Sequence, residues 1–161
     1  MEETKYIQQC HKKLLTVAMR KNKSNEVGML IDTLTWRYWL VLGTENSINL
    51  SMYPEIERML KSAPTKSLIF LHNHPCNKNF SGVDLQSFCK HDSLLMMSAI
   101  QNDGNVNILI KQDSFMPQTV IYEYNKVVAL NSSGGETRGM DYILQHCRSF
   151  GLWYKYGRCS R

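Results

Sequence analysis

No CxxC pair occurs anywhere in the 161 residues, and the five cysteines at positions 10, 76, 89, 147 and 159 are odd in number and widely spread. Neither a disulfide framework nor a zinc ribbon is expected from such spacing, and a reducing cytosol is the compartment that suits it. Long apolar runs are also missing. The N-terminal residues include Glu2 and Glu3 where a secretory signal would be basic and then apolar, so neither a signal segment nor a membrane span is expected, and no membrane partner. No repeat or low-complexity tract appears, and the one linker-like stretch is Asn131-Ser132-Ser133-Gly134-Gly135. Charge of one sign is in modest excess: 19 Lys and Arg against 14 Asp and Glu give +5, with the bases gathered at Lys12-Lys13, at Arg20 to Lys23, and in the tail. Such an excess attracts nucleic acid or an acidic protein surface without naming either.

What remains is ordinary globular composition, 43% hydrophobic and 20% charged, long enough for one domain over residues 1–161. Apolar positions Ile7, Leu14, Leu15, Val17 and Ala18 predict a helix over 3–20. Residues 27–32 and 36–42 read as strands joined by a tight Thr-rich turn, with a further short strand over 48–52 and a helix over 54–63 opened by Pro54. The run Ser67-Leu68-Ile69-Phe70-Leu71 predicts a buried strand over 67–73, followed by a helix over 82–101 that Asn102-Asp103-Gly104-Asn105 stops. Residues 106–111 and 119–130 are β-rich, the second through alternating Val120, Tyr122 and Tyr124, and 140–150 is amphipathic and helical. The expected class is α/β of the α+β kind, a mixed, mainly antiparallel sheet flanked by helices, with a core over about 20–130 and a C-terminal helical extension over 137–161.

Chemistry concentrates in His72-Asn73-His74-Pro75 and, after a loop of five residues, Ser81-Gly82-Val83-Asp84. Residues two apart on a strand share a face, and Pro75 holds His74 in extended conformation, so both imidazoles can point one way. Ser81 to Asp84 has the spacing of a capping box, which places Asp84 in the first turn of a helix. Two imidazoles and a carboxylate are the donors that a catalytic zinc ion takes, with a fourth position left for water. Asp84 also has a structural reading as a capping carboxylate, and the two roles are compatible because one oxygen can ligate while the other accepts a backbone bond. Ser81 alone reads as a cap; His72 and His74 alone read as a buried histidine pair.

These residues resemble the JAB/MPN metalloenzymes with the JAMM motif: an upstream glutamate, His-x-His-Pro, a short loop and Ser-x-x-Asp. The string His72-Asn73-His74-Pro75 is similar to the RadC branch, and Phe80-Ser81-Gly82-Val83-Asp84-Leu85 to the deubiquitinating branch. The resemblance covers roughly residues 20 to 130 and implies an MPN/JAB-like domain. It makes His72, His74 and Asp84 the ligands of one zinc ion per chain, and Ser81 a stabiliser of the tetrahedral intermediate. It also makes Glu26, in Glu26-Val27-Gly28-Met29-Leu30-Ile31, the best candidate for the catalytic glutamate; Glu45, Glu55 and Glu57 are the competitors.

The implied activity is a zinc metallopeptidase or isopeptidase acting on an extended peptide, including the tail of a ubiquitin-like protein. A RadC-like DNA-associated accessory protein and a metal-binding scaffold without catalysis are the alternatives. The tripeptide His-Asn-His spells the name of a nuclease class whose own residues are dispersed over a longer ββα unit, so it is not that signature. Cys76 reads as a loop cysteine that competes with water only if its thiolate reaches the metal. The tail Trp153-Tyr154-Lys155-Tyr156-Gly157-Arg158 mixes rings and bases as single-strand binders do, although packing beside a helix is the plainer reading.

Overall fold

The computed structural model describes residues 2–75 and 78–159. Among them, five α-helices surround a six-stranded, mostly antiparallel sheet, which bears out the α+β class. The strands are β1 (Val27–Asp32), β2 (Tyr38–Leu42), β3 (Leu68–His74), β4 (Leu94–Gln101), β5 (Asn105–Lys111) and β6 (Leu152–Arg158), laid side by side as β2-β1-β3-β4-β5-β6. Only β3 and β4 run parallel, and the connection such a pair requires carries the helix α3 (Gly82–Lys90).

Strand alternation splits the apolar residues between two layers. Val27, Met29 and Ile31 of β1 and Ile69 and Leu71 of β3 bury one face under α1 (Glu2–Lys21), against Cys10, Leu14 and Ala18. Leu30, Leu68, Phe70 and Met97 bury the other under α2 (Pro54–Ser62), α3, α4 (Pro117–Ala129) and α5 (Gly135–Gln145). His72 and His74 continue the Leu68, Phe70 series, so they face the helix-rich layer. No helix among the described residues is long and apolar enough to cross a membrane.

Four sequence expectations are corrected. Residues 48–52 form a 3₁₀ turn, Leu50–Met52, capped by Asn49, whose side chain accepts the Ser51 N–H, so the segment curls instead of pairing. The helix expected over 82–101 ends at Lys90, and Leu94–Gln101 is the central strand β4. Segment 119–130 is helical, because Val120 and Tyr124 are buried one turn apart while the intervening Tyr122 is 65% exposed. The expected helical extension over 137–161 holds part of α5 and a 3₁₀ turn, Cys147–Phe150, but ends in β6, which pairs with β5 from Lys111↔Leu152 to Asn105↔Arg158.

Candidate metal centre

β3 brings His72 and His74 to its C-terminal end with their Nε2 atoms 2.9 Å apart and the residues only 1% and 6% exposed. The backbone carbonyl of Lys78 holds the His74 ring through Nδ1 at 3.2 Å, and the Gln101 side chain donates to that same carbonyl at 3.3 Å. A carbonyl at Nδ1 requires the proton there, which turns the Nε2 lone pair towards His72 and the cluster. His72 stacks on Phe70, ring centroids 5.6 Å apart, and is flanked by Phe80 at 6.3 Å. An apolar wall therefore fixes one ring and a carbonyl the other.

The third group arrives from α3 through the expected capping box. Ser81 Oγ accepts the Asp84 N–H at 3.1 Å, and Asp84 Oδ2 accepts from the Ser81 N–H and hydroxyl, both at 2.7 Å. Asp84 Oδ1 is left facing His72 Nε2 at 3.3 Å, while Oδ2 also lies 3.3 Å from His74 Nε2. One donor atom from each of His72, His74 and Asp84 thus falls within 4.8 Å of the others, and the group can hold a metal ion. Tetrahedral bonds of about 2.0–2.1 Å set nitrogen and oxygen donors roughly 3.3 Å apart, close to the spacing observed.

The electrostatics favour positive charge at this point. Burial pushes the Asp84 carboxyl upward, but the two histidines overcome it and hold Asp84 well below the usual carboxylate range. Burial likewise pulls His74 down, yet Asp84, through its hydrogen bond and its charge, and then Glu26 hold it above the ordinary imidazole value. A cation between these groups meets the same field that favours the proton.

Glu26 precedes β1 directly. Carrying the register Gly28↔His72 two residues further brings Glu26 opposite His74. It is 8% exposed and lines the same cleft, and no side-chain hydrogen bond holds its carboxylate among the described residues. Burial raises its carboxyl against the opposing pull of His72 and His74. Of the competing glutamates, Glu45 lines the outer cleft, Glu55 is exposed on α2, and Glu57 accepts from Lys61 Nζ at 2.7 Å.

The cleft measures about 550 Å³ and runs from Glu45-Asn46-Ser47-Ile48 past His74, Ser81 and Asp84 to Glu136, Thr137 and Asp141 of α5. The wall formed by α5 and the supporting roles of Asn73, Lys78 and Gln101 emerge only from the structure. Asn73 stands between the two histidines, which is its signal in the sequence, and the structure buries it fully. Cys76 lies outside the described residues. Cys89 is buried with its thiol pushed up to about 12, so it stays protonated, and His91 ends α3 with its carbonyl accepting from Lys111 at 2.6 Å. His11 bonds Ser98 beneath the sheet and His146 bonds the Tyr142 carbonyl; among the described residues no other group gathers metal donors. No protein-family model matches this chain, no curated protein matches it, and no solved structure matches it.

Proposed function

We propose that this protein is a JAMM-type zinc metallopeptidase that hydrolyses an amide or isopeptide bond in an extended peptide, with a ubiquitin-like C-terminal tail as the substrate class. The observation that carries the reading is the meeting of His72, His74 and Asp84 donor atoms within 4.8 Å, where His74 and Asp84 line a cleft that Glu26 also lines. His72 Nε2, His74 Nε2 and Asp84 Oδ1 would hold the ion. When bound, zinc supplies Lewis acidity that polarises a carbonyl and lowers the pKa of water to about 7.

The chain's own groups do the rest. Glu26 takes a proton from the attacking water, and burial, by raising its carboxyl above the ordinary value, strengthens it as a base. As the carbon–nitrogen bond breaks, Glu26 returns that proton to the leaving amine. Ser81 orients Asp84 through its backbone N–H and its hydroxyl, and as the oxyanion develops the hydroxyl proton turns to it from Asp84 Oδ2 while the N–H keeps the carboxylate in place. Phe70 and Phe80 keep water from the far side of His72. The thiols of Cys10, Cys89 and Cys147 fit a cytoplasmic setting.

The test loads the protein with zinc and offers glycine-terminated amide conjugates. Cleavage is expected, with Glu26→Gln retaining zinc but slowing by about 100- to 10,000-fold. Cleavage by Glu26→Gln at the wild-type rate places the base elsewhere; a zinc-loaded wild type that cleaves no amide conjugate overturns the hydrolytic reading.

A further inference from the structure

The net positive charge of the chain comes from its two ends. Residues 26–151 carry 10 bases and 12 acids, so the whole excess resides in the first 25 residues, with six bases and two acids, and the last ten, with three bases and no acid. From Thr4 to Asn25 there is no acidic residue at all. The fold brings these two ends together. Cys159 Sγ, just past β6, lies 4.0 Å from the Gln8 carbonyl oxygen of α1, and Cys159 packs in one cluster with Cys10 and Leu14.

The register assigns the β6 side chains to faces. Val106 packs in the α1-side core, with Ile108 and Ile110 against it, and their partners across the ladder are Gly157, Lys155 and Trp153. Trp153 and Lys155 therefore share the α1 side of the sheet, opposite His72 and His74. Trp153 is 44% exposed, and Lys155 Nζ lies 5.5 Å from its ring centroid. Lys5, Lys12, Arg20, Lys21 and Lys23 are exposed on or just after α1, and among the described residues none of them, nor Lys155, pairs with a carboxylate. β6 is also a terminal strand of the sheet, so among the described residues its outer edge has no strand partner.

We infer that this face, formed by α1 and β6, binds a single strand of nucleic acid, on the side of the molecule remote from the metal centre. Unpaired cations follow a chain of phosphates, whereas an exposed indole beside Lys155 accepts a base by stacking, whatever the base. A patch of bases without a ring would serve any anion; Trp153 beside Lys155 makes a nucleobase the favoured neighbour. The inference stands apart from the hydrolytic reading.

The probe is a labelled oligothymidylate of about 12 nucleotides, read by fluorescence anisotropy with full-length protein. Binding is expected to weaken with salt at a logarithmic slope of about 3, for roughly four phosphates contacted. Trp153→Ala is expected to weaken binding about 10-fold with the salt slope kept. Lys12→Glu with Lys155→Glu lowers both affinity and slope. His74→Ala binds the strand as the wild type does, because His74 faces the other way. Circular dichroism and the thermal midpoint of each variant separate loss of the surface from loss of the fold. Absence of binding at low salt, equal affinity for Trp153→Ala and wild type in folded protein, or binding only to phosphatidylserine vesicles overturns the inference.

Discussion

Asn73 ties down the backbone on both sides of Glu26. Its Oδ1 accepts the Val27 N–H at 2.7 Å, and its Nδ2 donates to the Asn25 carbonyl at 3.3 Å. One side chain, itself lodged between the two histidines, thereby sets where Glu26 stands relative to them. Asn73→Ala leaves the buried Val27 N–H without its acceptor, and a cost of about 1–3 kcal/mol is expected in urea unfolding. Zinc stoichiometry should survive while cleavage falls, since the donors are intact and only the glutamate is loosened.

Gly28 leaves room for the ring that supports His72. A Cβ there would stand 2.6 Å from Val41 Cγ2 and 2.8 Å from Phe70 Cζ, so Phe70 must move. Gly28→Ala is expected to lower stability by about 1–3 kcal/mol and to weaken zinc binding as His72 loses its stacking partner. A thermal midpoint and a zinc titration on the same variant measure both effects; unchanged zinc affinity would separate Phe70 from the site.

Ser81 serves the helix and the carboxylate together. Ser81→Ala removes an N-cap, worth about 1 kcal/mol, and frees the Asp84 carboxylate from the hydroxyl at 2.7 Å. Loss of such a support is expected to weaken zinc by about 10- to 100-fold, and Ser81→Thr to restore most of it.

The His72, His74 and Asp84 group that could hold a metal is legible because its spacing is local: two residues on a strand and a capping box from Ser81 to Asp84. The central strand β4 is not. Leu94-Leu95-Met96-Met97-Ser98-Ala99-Ile100 is covered on both faces, so it lacks the alternation that marks a half-buried strand and reads as helix after α3. The reverse held for α4, where Val120, Tyr122 and Tyr124 mimic alternation although Tyr122 faces solvent. β6 carries rings and bases on an edge, and only its pairing with β5 distinguishes it from a loose tail. The α5 wall of the cleft is a long-range contact that no spacing encodes.

Beneath the sheet, His11 provides a pH signature. Burial, and then the nearby His72, lower its imidazole from 6.5 to about 4, and its Nε2 stays 2.7 Å from Ser98 Oγ. Between those values the unfolded chain takes a proton that the folded chain refuses. Stability is therefore full above pH 6.5 and is lost as pH falls towards 4, by on the order of 3 kcal/mol. In metal-free protein, His11→Gln should flatten this part of the urea-unfolding profile. An unchanged slope would show that His11 is not the group responsible.

The most direct measurement is a titration of chelator-treated protein with zinc, followed by elemental analysis after dialysis. One equivalent per chain is expected for the wild type, with loss of tight binding in His72→Ala, His74→Ala and Asp84→Ala and retention in Glu26→Gln. Folded wild-type protein that takes up no zinc, or binds it unchanged when His74 is removed, contradicts the account.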